Sequence, residues 1–192
     1  MTKNDSIARI KDDVVERFGE DKVWFDFEKG KLPDGLECKI MFVAERPSGQ
    51  KGKEMSKFTK RRFCLFQGLR EKSFQDSSYT TDCIKTYPIN SWKERKERLK
   101  ENERDFEEQK EYLKREIDCV KPSIIVPLGN EAERLIKKCV KDWEELKRIT
   151  LLDKIWHYSY INGKDFTSKY ERKFGDLKKK IDCLLKGHLE KH

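Results

Sequence analysis

The stretch SIIVPLGNEAERLIKKCV, residues 123–140, constrains the fold more than any other. Four apolar residues meet a Gly-Asn turn, and a helical pattern follows with Ala132, Leu135, Ile136 and Cys139 on one face. A continuous apolar run feeding directly into an amphipathic helix is the signature of a strand buried on both faces and packed under its own helix. The pattern recurs elsewhere in weaker form. KIMFVAERPSG (39–49) reads as a buried strand over 39–44, and a helix over 59–71 follows with Phe63, Phe66 and Leu69 aligned. YTTDCIKTYP (79–88) is β-branched and stops at a proline, which predicts a second short strand and an exit loop. A fourth strand is expected over 154–158, before a basic amphipathic helix over 167–186.

Strands separated by helices imply parallel pairing through right-handed crossovers. The expectation is therefore a three-layer α/β/α architecture around a central, mainly parallel four-stranded sheet. With 192 residues the chain reads as one domain. Residues 1–37 supply a helix and a connector packed on it: Ile7, Ile10, Val14, Val15 and Phe18 have helical spacing over 5–18, Asp5 or Ser6 can cap the start, and Gly19 stops it. Trp24, Phe25, Phe27 and Pro33 predict an irregular, aromatic-pinned connector.

Charge is the other constraint. Lysine and arginine number 44 against 36 aspartate and glutamate, giving +8 on a chain that is 42% charged and 35% apolar. That balance favours a polyanionic partner. The basic run KGKEMSKFTKRR, residues 51–62, sets six cations against Glu54 and interleaves Phe58. From Lys93 to Asp118 nine basic and ten acidic residues alternate at three- and four-residue spacings, which predicts a long helix with a solvated, self-supporting face. Six scattered cysteines without a C-x-x-C pair predict free thiols in a reducing cytoplasm. No run approaches the roughly 20 apolar residues of a membrane span.

In open α/β sheets, ligands bind beyond the carboxyl ends of the strands. Glu45, Arg46, Asp82, Asn130 and His157 all fall just past predicted strand ends, so the fold should gather them at one edge. A carboxylate there can orient a water, and a histidine can stabilise an anionic leaving group or move a proton. Backbone amides of the ERPSG and LGN turns can hold phosphate. Each residue also has a plainer explanation: Glu45 as a turn cap paired with Arg46, His157 as a satisfied core side chain, Phe58 and Phe63 as core.

The order of the motifs is more specific than any one of them. A strand ending in E-x-P-S (Glu45, Pro47, Ser48), then K-F-x-x-x-x-F (Phe58, Phe63), Y-x-T-D-x-x-K (Tyr79 to Lys85), KPSIIVPLGNEA and a late H-x-S (His157, Ser159) resemble the uracil-DNA glycosylase superfamily over residues 38–183. The similarity is closest to the branch that carries an iron-sulfur cluster. It implies a monomeric enzyme of base excision repair that flips a damaged base out of DNA and hydrolyses its N-glycosidic bond. By that resemblance Glu45 and His157 are catalytic, Phe58 and Asp82 meet the substrate base, and Pro47, Ser48 and Ser159 contact the DNA backbone; strand-end placement adds Arg46 and Asn130 to the substrate-binding set, and the basic run adds Lys60, Arg61 and Arg62 to the DNA-binding set. Glu45 would position water, Phe58 would stack on the base, and His157 would hydrogen-bond uracil O2.

Three departures qualify the pattern. Arg46 stands where relatives carry aspartate, asparagine or a small residue, and a guanidinium is no general base. Asp82 replaces an asparagine, and an ionised acid there would repel uracil O4 and favour a base presenting an amino group. Thr86, and Glu111 just before Tyr112 and Leu113, stand where cluster cysteines are expected, so neither metal nor cofactor is predicted. Two rivals remain open at this level: a non-catalytic nucleic-acid-binding member of the same fold, with Arg46 paired to Glu45 or gripping phosphate, and an enzyme acting on a free nucleotide.

Overall fold

A computed structural model describes residues 2–23, 38–47, 57–74, 77–88, 94–157 and 165–189. Its strands are β1 (Ile40–Ala44), β2 (Ser78–Asp82), β3 (Ile124–Pro127) and β4 (Thr150–Leu151). All pair in parallel, in the order β2-β1-β3-β4. The helices are α1 (Lys3–Phe18), α2 (Lys57–Phe74), α3 (Arg95–Val120), α4 (Asn130–Asp142) and α5 (Phe166–Leu189). The expected three-layer α/β/α fold with a parallel four-stranded sheet is what the chain adopts.

Period-two alternation in β1 divides the core. Met41 and Val43 face one layer with α1, α3 and α4, whereas Ile40, Phe42 and Ala44 face α2 and α5. The second layer centres on Phe42, whose ring meets Phe66 and Phe74 at 5.7 Å each and stacks on Phe174 at 6.0 Å. The connection β1-α2-β2 runs one way along the sheet, while β2-α3-β3 crosses back over β1. Right-handed crossovers in opposite directions must lie on opposite faces, which explains why α2 and α3 cover different layers. The reversal leaves a crevice between the carboxyl ends of β1 and β3.

Two boundaries differ from expectation. Thr2, rather than Asp5 or Ser6, is the N-cap of α1: its hydroxyl accepts from Asp5 N–H at 3.1 Å while the Asp5 carboxylate accepts from Thr2 N–H at 2.7 Å. Asp5 is the third-position acid of a reciprocal capping box. Gly19 does end the helix, at φ +89°, where its N–H reaches Val15 O. The fourth strand lies earlier than 154–158. Leu152 N–H bonds Ile125 O and Ile155 N–H bonds Pro127 O, so three residue steps on this edge match two on β3. Asp153 and Lys154 are exposed in that gap. The extra residue acts as a bulge and re-aims the chain toward His157. The aromatic connector at 24–37 lies outside the described residues. Among the described residues, no helix is long and apolar enough to cross a membrane.

Candidate active site at the carboxyl edge of the sheet

Glu45 follows the last residue of β1, and its position is fixed from both sides. Its main-chain oxygen accepts from Ile84 N–H at 3.0 Å, and Ala44 O accepts from Cys83 N–H at 2.8 Å, which ties the turn to the exit of β2. Its carboxylate is held by α3. Arg98 donates to it through Nε at 3.2 Å and through a second guanidinium nitrogen, and Asn102 Nδ2 donates to Oε1 at 2.5 Å.

Arg46 is turned toward α3. It is buried, 5% exposed, and its guanidinium is engaged by the same helix. Nη1 donates to Asn102 Oδ1 at 2.9 Å and lies 3.6 Å from Glu101; Nη2 donates to Asp105 at 2.9 Å; Nε and Nη2 both reach Thr86 O. The plain expectation that Glu45 and Arg46 serve each other is thus revised, because their bonds go to different groups of α3, with Asn102 between them. The proximity of Glu101 and Asp105 is the physical reason: a buried guanidinium requires nearby anions. Pro47 is also buried.

Asp82 ends β2, in register with Ala44. The motif that carries it is otherwise a clamp. Tyr79 OH, Thr81 Oγ1 and Lys85 Nζ all donate to Glu116 of α3, at 3.2, 2.7 and 2.5 Å. Lys85 and Glu116 are 1% and 0% exposed. Lys85 Nζ also donates to Asp82 main-chain O at 2.5 Å, while Gln109 accepts from Lys85 N–H and donates to Thr86 Oγ1. Burial is the main cause that pushes the Asp82 carboxyl up to about 7; Glu116 and Glu45 push the same way, against Lys85 and Arg46.

His157 is buried at the end of the bulged edge. Burial, with the nearby charge of Arg98, drives its imidazole down to about 4 and keeps it neutral at physiological pH. Arg98 thus bears on both candidate catalytic groups, paired to Glu45 and lowering His157 by its charge. The turn after β3 completes the approach. Gly129 has φ +95°, its N–H reaches Ile155 O at 2.8 Å, and a Cβ there would lie 3.2 Å from His157 Cβ. Asn130 is exposed at the first position of α4.

The remaining expectations are placed by backbone alone. Phe58, Lys60, Arg61 and Arg62 belong to the first turns of α2, which starts at the same edge; their side chains lie outside the described residues, as do Ser48 and Ser159. Reading α3 as a solvated charged face missed the residues that build the site: Arg98, Asn102, Asp105, Gln109 and Glu116. The signal was present, since these positions share the helical phase of Phe106, Leu113 and Val120, and two are neutral amides in a charge-dense segment. Among the described residues no three His, Cys, Asp or Glu side chains converge as metal ligands. Cys38, Cys83, Cys119 and Cys139 are free thiols, of which Cys38, Cys83 and Cys139 are buried, and burial pushes all four up. Among the described residues, cysteines that do not converge do not fit an iron-sulfur cluster.

Comparison with known proteins accords with this geometry. The family model described as the uracil DNA glycosylase superfamily matches residues 32–179. A type-4 uracil-DNA glycosylase from Sulfurisphaera tokodaii is 27% identical over 165 residues, a match covering 80% of this chain and 69% of the relative.

Proposed function

The chain belongs to the uracil DNA glycosylase superfamily, and from that premise we propose that it hydrolyses the N-glycosidic bond of uracil, or another deaminated base, flipped out of DNA. The observation that carries the proposal is that an anchored carboxylate, Glu45, and a buried neutral imidazole, His157, lie at one carboxyl edge of the sheet, the first paired to Arg98 and the second under its charge. Bond cleavage leaves positive charge on the sugar and negative charge on the base. A carboxylate fixed by Arg98 and Asn102 orients the attacking water and faces the sugar cation. The neutral imidazole donates a hydrogen bond to the base oxygen as it becomes anionic, a role that needs no proton transfer. Phe58 stacks on the base and Asn130 lines the base pocket. Pro47, Ser48 and Ser159, in the reading that the resemblance supplies, and Lys60, Arg61 and Arg62, from the basic run, hold the DNA backbone. Arg46 acts as a positioning residue rather than a base contact.

The test is a set of end-labelled single- and double-stranded oligonucleotides, each carrying one uracil, hypoxanthine or xanthine, incubated with protein and cleaved with alkali at abasic sites. Release of at least one of these bases, reduced about 10²–10³-fold in His157→Ala, is the expected result. Salt-dependent binding of every oligonucleotide without release would instead assign a non-catalytic member of the family.

A further inference from the structure

Asp82 is only 9% exposed, and among the described residues no side chain donates to its carboxyl oxygens. Lys85, the nearest cation in the motif, directs its ammonium to Glu116, Thr81 and the Asp82 main chain instead. The charged and titratable groups facing the carboxyl are Glu45 and Arg46 from the turn after β1, Glu116 from α3, and Cys83, Lys85 and Tyr87 on its own segment. Two of these are acids, and both cations are engaged by other anions. A carboxyl in a largely buried residue, with two acidic neighbours and both nearby cations engaged by other anions, favours its protonated form.

Resting on the glycosylase reading, we propose that Asp82 meets the flipped base as a neutral carboxylic acid, its O–H donating to a ring carbonyl and its C=O accepting from the adjacent ring N–H. Uracil, hypoxanthine and xanthine share that edge, a carbonyl beside an N–H. An ionised Asp82 presents two acceptors and repels the carbonyl. The acid therefore performs what a neutral amide performs at this position, but only while it keeps its proton. Ionisation near pH 7 makes uracil recognition fail on the alkaline side. His157, driven down to about 4, and Cys83 and Tyr87, raised above their ordinary values, titrate outside that window.

Two measurements test this. The first is single-turnover release of uracil from a single-stranded oligonucleotide between pH 5.5 and 8.5, comparing the native chain with Asp82→Asn. The native rate should fall about tenfold from pH 6 to pH 8, one proton governing the loss, and the Asn variant should lose that fall. Parallel profiles overturn the proposal while leaving glycosylase activity intact. The second is carboxyl-carbon NMR on the full chain, with the Asp82 resonance assigned by its absence in Asp82→Asn. A midpoint near neutrality supports the proposal, and a midpoint near 4 overturns it regardless of activity. If neither protein releases a base, the glycosylase reading fails. Binding of the same uracil oligonucleotide then decides: affinity that weakens above pH 7 only in the native chain upholds the neutral acid, and equal affinity across pH overturns it.

Discussion

Asn102 is a side chain with two obligations. Its Oδ1 accepts from Arg46, which leaves its Nδ2 to donate to Glu45. A guanidinium cannot accept a hydrogen bond, so Arg46 fixes which way the amide faces. This gives a function to a residue that looked incompatible with catalysis when only its place in the motif was visible. Arg46→Met and Asn102→Ala should each lower the rate of base release about 10–100-fold with little change in KM. Because both act through one bond to Glu45, the double variant should be no slower than the worse single variant. Losses that multiply in the double variant would show that Arg46 acts on the reaction by another route.

At the scale of elements, α3 and the β4 edge decide the geometry. The strands and helices were legible because burial on both faces leaves continuous apolar runs in β1 and β3, and each run meets a helix of clear period. The site was legible only at strand ends. Its supports on α3 were hidden because alternating charges at helical spacing look alike whether a face is solvated or buried against partners; only the phase of Asn102, Gln109 and Glu116 with Phe106 and Leu113 distinguishes them. The β4 bulge was missed because Asp153 and Lys154 interrupt an edge that resumes at Ile155. Gly129→Ala tests this edge. It adds a Cβ at a backbone angle that L-residues avoid and against His157. Base release should drop at least tenfold while the far-UV spectrum is retained; an unchanged rate would mean that the approach of Gly129 to His157 is immaterial. Phe42→Ala belongs to the same scale but touches the opposite layer. It should cost about 3–5 kcal/mol in a denaturant titration, because it empties the centre of the four-ring cluster. A loss under about 1 kcal/mol would contradict that packing.

For the whole molecule, Asp82 and His157 make opposite contributions to stability as pH changes. The Asp82 pKa is raised on folding from 3.8 to about 7, so its contribution is fully present below pH 4 and is lost as pH rises to 7. The His157 pKa is lowered from 6.5 to about 4, so its contribution is present above pH 6.5 and is lost as pH falls to 4. They are worth about 4 kcal/mol for Asp82 and about 3 kcal/mol for His157, and between pH 4 and 6.5 the two slopes cancel. Removing one group exposes the other. Asp82→Asn should become more stable with rising pH through that range, by up to about 1.4 kcal/mol per unit, and His157→Asn should become less stable. Denaturation midpoints measured at four pH values read both; identical pH profiles for the two variants would contradict the assigned burial.

Joint action of Glu45 and neutral His157 on a glycosidic bond is decided by single-turnover release of uracil from a single-stranded oligonucleotide at pH 6.5, comparing the native chain with Glu45→Gln and His157→Ala. The native chain should release uracil measurably and each variant should lose about 10²-fold or more, with oligonucleotide binding retained. Release that survives both substitutions would contradict it, as would a native chain that binds the oligonucleotide and leaves every base attached.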